Sequence, residues 1–314
     1  QGGSVVLSGG LGEIGGDLSV MSGAGSAGSS GTVSIAAGDA SAMSQGGSIL
    51  IDGGRSEGST GGEVDIAGGA SAAGTAGGVS LMGGASAEGD SGRVQVSSSG
   101  SAQGASGGVH ITTGDGLRSG DVMLSSGAAS GGAAGSVRIS AGNSAEEGSD
   151  VIVDGGSGSS GGNVQLQAGK GLSMDGGSLV FMSGDTYDLE KNAGKVTIAS
   201  ASSMGTSGAV SLSSGVSTQS QSGSVLVSTG NAVEAEAGSL VLSAGEGSAA
   251  AGAEVHIAAG FNNNNLGKGG SVNVAGGSGH TGGDVNIISG AGSGAQAGSI
   301  FISTSIDEQG VLKD

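Results

Sequence analysis

Three histidines, one tyrosine and 27 acidic side chains are the groups in this chain that could do chemistry. His110 and His256 each stand between two aliphatics, in Val109-His110-Ile111 and Val255-His256-Ile257, while His280 lies in Gly279-His280-Thr281. An imidazole becomes a metal ligand or a general base only beside a suitable partner. His110 and His256 are separated by about ten repeats of the pattern described below, so solvated surface imidazoles are expected. Carbohydrate cleavage would need neighbouring carboxylates and an aromatic-lined cleft. The carboxylates are scattered, as at Asp52, Asp65, Asp154 and Asp284 or Glu146-Glu147 and Glu234/Glu236, Tyr187 is the only tyrosine, and tryptophan is absent.

Other ligand chemistries fare no better. Calcium-binding nonapeptides need an aspartate at a fixed place in each nine-residue turn, and Gly155-Gly156-Ser157-Gly158 and Gly276-Gly277-Ser278-Gly279 lack it. An ice-binding face would need a regular ladder of threonines, whereas Thr112-Thr113 and Thr304 are isolated. Glycine-rich phosphate cradles need a following helix, and no helical pattern follows any of them. The chain is expected to be no enzyme and to hold no cofactor or metal.

Composition narrows the partners. With 9 Lys plus Arg against 27 Asp plus Glu, the net charge is −18, which repels phosphate backbones and anionic headgroups. No apolar run approaches the roughly 18 residues of a membrane span. Nucleic acid and membrane insertion are therefore set aside. Cysteine is absent, and 75 glycines without a single proline exclude a collagen helix. Abundant serine leaves O-linked glycans open as partners.

The organising feature is a repeat, G-x-V-x-[I/L]-x-x-G followed by small residues and a second glycine cluster, at a period of about 15 residues. Its aliphatic pairs run Val5/Leu7, Leu18/Val20, Val33/Ile35, Ile49/Ile51, Val64/Ile66, Val79/Leu81, Val94/Val96, Val109/Ile111, Val122/Leu124, Val137/Ile139 and Val151/Val153. They continue Val164/Leu166, Leu179/Phe181, Val196/Ile198, Val210/Leu212, Val225/Val227, Leu240/Leu242, Val255/Ile257, Val272/Val274, Val285/Ile287 and Ile300/Ile302. Residues two apart share one face of a strand but point about 200° apart on a helix. The residue between them is mostly polar, as at Ser34, Gln95 and Asn286.

This pattern predicts an all-β fold, a parallel β-solenoid of about twenty short coils with one repeat per coil. Two repeats per coil is the alternative. The pairs would stack as a core ladder, in which Val5 and Leu7, Val33 and Ile35, Val64 and Ile66, Val109 and Ile111, Val137 and Ile139, Val196 and Ile198, Val255 and Ile257, and Val285 and Ile287 point inward. The small-residue halves, such as Ser220-Gln221-Ser222, would form a second wall. Glycine is expected at corners that need positive φ or close packing, as at Gly61-Gly62 and Gly77-Gly78. The solenoid is expected over 1–304 and a non-repeat tail over 305–314, as a cap or an inter-subunit contact. Tyr187, Leu189 and Phe301 are candidate assembly contacts, because large side chains are scarce outside the pairs.

Runs such as Gly-Gly-Ser-Val-Val-Leu-Ser-Gly-Gly (2–10), Gly-Thr-Val-Ser-Ile-Ala-Ala-Gly (31–38) and Gly-Gly-Asp-Val-Asn-Ile-Ile-Ser-Gly (282–290) resemble the Gly/Ser/Ala-rich tandem-repeat surface proteins of diatoms and other stramenopile algae. The resemblance implies an extracellular or cell-surface structural role and brings no catalytic residues. The functional expectation is a structural protein whose partner is itself, polymerising end to end, and in some arrangements side by side, into extracellular fibrils. A monomeric spacer or adhesin rod is the alternative, with ice binding and carbohydrate chemistry further behind.

Overall fold

A computed structural model describes residues 2–41, 44–249, 251–294 and 296–304. The chain divides into two units, Gln1–Val164 and Gln165–Asp314, and both are built the same way. A short aliphatic segment carrying one V-x-I pair alternates with a loop of small residues. Many of the loops are closed at the base by a single hydrogen bond from a glycine N–H to a glycine carbonyl.

The closures recur with the repeat. In the first unit Gly31, Gly47, Gly62, Gly77 and Gly92 donate to Gly23, Gly38, Gly54, Gly69 and Gly84 at 2.7–2.9 Å. In the second, Gly177, Gly194, Gly270 and Gly298 donate to Gly169, Gly184, Gly260 and Gly290 at 2.9–3.0 Å. Three tighter loops join residues only six apart, Gly10 to Gly16, Gly156 to Gly162 and Gly277 to Gly283. Chain ends held close by a compact surface loop are the geometry of an Ω-loop.

Glycine at these necks serves close approach. In the tight loops, a Cβ added at Gly9, Gly155 or Gly276 would run into the carbonyl oxygen of Gly16, Gly162 or Gly283. Among the wider necks, Gly53, Gly68 and Gly83 are equally closed, each against the carbonyl oxygen of Gly62, Gly77 or Gly92. Two others already carry one Cβ opposite a glycine: a Cβ on Gly47 would lie 3.1 Å from that of Ala37, and one on Gly194 3.2 Å from that of Ser183. Positive φ, the other expected reason, is not the cause. Among the described residues no glycine takes a left-handed φ, and the non-glycine residue that does is Glu234, at φ 66°.

The expected β-solenoid is not what forms. Among the described residues there is neither helix nor strand. The reason lies in where the backbone hydrogen bonds go. A packed chain makes roughly one internal hydrogen bond per residue, most of them in ladders, whereas among the described residues fourteen backbone bonds are made and all lie at loop necks or within loops. None involves an aliphatic segment. Each neck fastens the chain to itself within six to ten residues, so a segment is not laid against its equivalent about 15 residues on, and no ladder propagates.

The small-residue halves, expected to form a second wall, are the loops. The inward core ladder is corrected with the solenoid, since both members of every pair assigned to it remain accessible. Val5 and Leu7, Val33 and Ile35, Val64 and Ile66, and Val109 and Ile111 are exposed in the first unit, as are Val137 and Ile139. In the second unit Val196 and Ile198, Val255 and Ile257, and Val285 and Ile287 are exposed in the same way. Without a neighbouring coil laid against them, Leu7, Ile35, Ile198 and Ile287 have no apolar layer to enter, and each keeps well over half of its surface in water. Val33 and Val64, the most shielded of the set, are still 47% exposed. Among the described residues none is buried. The accessible surface is 31277 Å², against about 11,000 Å² for a folded monomer of this mass. The tail at 305–314 lies outside the described residues.

Candidate functional site

With nothing buried among the described residues, the surfaces able to act are the aliphatic segments and the loop tips. Within each segment the first aliphatic is usually more shielded than the second, as with Val64 at 47% and Ile66 at 64%. The outer edge of the pair and its backbone polar groups stay open, which is the condition of an unprotected sheet edge.

The loops are pinned internally as well as at the neck. Ser56, Ser71, Ser86 and Ser101 fall 15 residues apart, and each hydroxyl accepts a hydrogen bond from the N–H three residues on, at 2.9–3.0 Å. These serine-to-backbone turns correspond to a periodic Ser-x-x-Gly/Ser in the sequence, at Ser56-Glu57-Gly58-Ser59 and Ser71-Ala72-Ala73-Gly74 for example. Asn262 to Asn265, expected only as an exposed loop, form a more ordered one. The Asn262 side-chain oxygen accepts from the Asn264 N–H, that of Asn264 accepts from the Leu266 N–H, and the Asn262 amide donates to the Lys268 carbonyl.

Tyr187 and Leu189 stand fully exposed on the loop between Gly184 and Gly194. That loop is braced by Thr186 Oγ1 accepting from the Asp188 N–H, by Asp188 Oδ1 accepting from the Glu190 N–H and by the Asp188 carbonyl accepting from the Lys191 N–H. The bracing presents both side chains outward. Phe301, in the middle of the last segment, is exposed too. Tyr187 and Leu189 thus share one loop, whereas Phe301 belongs to a separate segment. Leu117 is a further bare tip, on the loop between Ile111 and Val122.

Charge is placed on the segments with some order. The position just before the first aliphatic is acidic at Asp17, Glu63, Asp121, Asp150, Glu254 and Asp284, and basic at Arg93 and Lys195. The position between the aliphatics is ionised at Asp65 and Arg138. All of these residues are exposed.

Classical sites are not found in the described part. Among the described residues there is no pocket, no group of three or more residues that could hold a metal, and no helix long and apolar enough to cross a membrane. His110, His256 and His280 have no such group around them. No protein family, curated protein or solved structure matches the chain.

Proposed function

We propose that this is a structural protein of the cell exterior that works by associating with copies of itself, each copy covering aliphatic segments the others leave open. The observation that carries this reading is that every aliphatic pair along the chain is accessible while none of the described residues is buried. Soluble monomers do not ordinarily expose apolar residues in so regular an array, and such arrays mark association surfaces. Unpaired backbone along the segments adds a second drive, because neighbouring chains can satisfy it. The rigid solenoid rod is no part of this proposal; the order belongs to the assembly.

The extracellular assignment rests on the resemblance of the repeat to algal surface proteins. The test is electron microscopy together with sedimentation velocity on the purified chain at neutral pH. Concentration-dependent growth into fibrils is expected. A single species of monomer mass across a hundredfold range of concentration would defeat self-assembly and favour the spacer.

A further inference from the structure

We infer that Met21, Met82, Met123 and Met182 are oxidation sites through which a peroxide stops copies of this chain from associating. The inference rests on the self-assembly reading, since it concerns the surface that a second copy covers. Six of the seven methionines are described, and they fall into two groups. Met21, Met82 and Met182 directly follow the aliphatic pairs Leu18/Val20, Val79/Leu81 and Leu179/Phe181, and Met123 stands inside Val122/Leu124. Met174 and Met204 lie on loops. In each of the four segments the methionine is the least covered apolar side chain: Met82 is 86% exposed, against 54% for Val79 and 70% for Leu81.

The thioether is thus the outermost apolar group of these segments, open to a dissolved oxidant in the single chain and first to meet a neighbour. A peroxide transfers one oxygen atom to the sulfur: the O–O bond breaks, an S=O bond forms, the sulfur is oxidised by two electrons, and hydrogen peroxide leaves as water. Cysteine is absent, so no thiol competes for the oxidant. The product carries a polar sulfoxide on what was a flexible apolar side chain. Pressed against an aliphatic segment of another copy, the new oxygen loses its water without gaining a donor, which is costly. In the single chain the same group faces water, so the penalty falls on the assembly alone. Met174 and Met204 undergo the same chemistry, but they stand off the aliphatic segments, and their oxidation should leave association unchanged. The block is reversible, because a sulfoxide reductase returns the thioether.

The test measures the critical concentration for fibril growth, by sedimentation, of the full chain before and after hydrogen peroxide, with sulfoxide at each methionine followed by peptide mass mapping. Oxidised wild type should need roughly tenfold more protein to form fibrils, the loss expected when even one methionine no longer gains from leaving water. M21L/M82L/M123L/M182L should assemble like untreated wild type, because Leu and Met are close in volume, and peroxide should change its critical concentration by less than about twofold. M174L/M204L should stay as sensitive as wild type. Methionine sulfoxide reductase with a thiol reductant should restore growth of the oxidised wild type. A fully oxidised wild type that assembles normally, or a quadruple variant that peroxide inhibits as strongly as wild type, would overturn the inference and leave self-assembly standing. A wild-type chain that forms no fibrils before any oxidant is added would instead strike the self-assembly reading, and this inference with it.

Discussion

The Gly62 N–H donates to the Gly54 carbonyl at 2.7 Å, and a Cβ added to the adjacent Gly53 would run into the Gly62 carbonyl oxygen. The two backbones touch at the neck with no room for a side chain. Gly53→Ala should therefore open the loop between Gly54 and Gly62, whereas Ala37→Gly, at a neck that already accommodates a methyl group, should leave its loop closed. Amide exchange at Gly62 and Gly47 reads the difference: about fivefold faster exchange at Gly62 in the first variant, from losing a bond worth roughly 1 kcal/mol, and no change at Gly47 in the second.

The serine turns make a separate claim. Ser71 Oγ accepts from the Gly74 N–H at 2.9 Å inside the loop closed by Gly69 and Gly77. Ser71→Ala removes that acceptor and should destabilise the turn by about 0.5–1 kcal/mol. The Gly74 amide should shift toward its random-coil proton frequency while the Gly77 amide, bonded at the neck, holds its own. Movement of both together would show that turn and neck are one unit.

The repeat, the pairing of aliphatics and the exposure of Tyr187 were legible in the sequence because each is written in residue type and spacing. The ladder was not, because the spacing of Val64 and Ile66 says that they share a face and nothing about what covers it. The same holds for Val5 and Leu7 at one end of the chain and for Val285 and Ile287 near the other, which share the spacing and stay open. Local glycine necks such as Gly69–Gly77 compete with pairing between segments, and two modest aliphatics per repeat are a small counterweight to the entropy of ordering so much glycine.

Ile139 tests the aliphatic surface directly. It is 71% exposed in the single chain, so Ile139→Asp should cost the isolated chain almost nothing. In an assembly the carboxylate would be buried without a partner. The expected result is unchanged hydrodynamic size for the dilute monomer and a critical concentration for fibrils raised about tenfold, the equivalent of roughly 1.4 kcal/mol. Identical fibril yield would place Ile139 outside the contacts between copies.

Net charge sets a global threshold for association. The chain carries −18 at neutral pH and its isoelectric point is near 4.2. As pH falls toward that point the exposed carboxylates take up protons and the repulsion between copies disappears, and chains of near-zero net charge associate most readily. Turbidity at fixed concentration should rise as pH drops and peak near 4.2.

Tyr187 offers a built-in reporter, since the chain has one tyrosine and no tryptophan. Its ring is fully exposed on a braced loop, and in the proposed assembly that loop is crossed by an apolar part of a second copy. Apolar tips meeting at such a crossing exclude water from the ring. Acrylamide should quench Tyr187 emission freely in the dilute monomer and roughly threefold less in the fibril, because a covered ring is shielded from the quencher. Quenching that is the same in monomer and fibril would mean that this loop points away from the neighbouring copy.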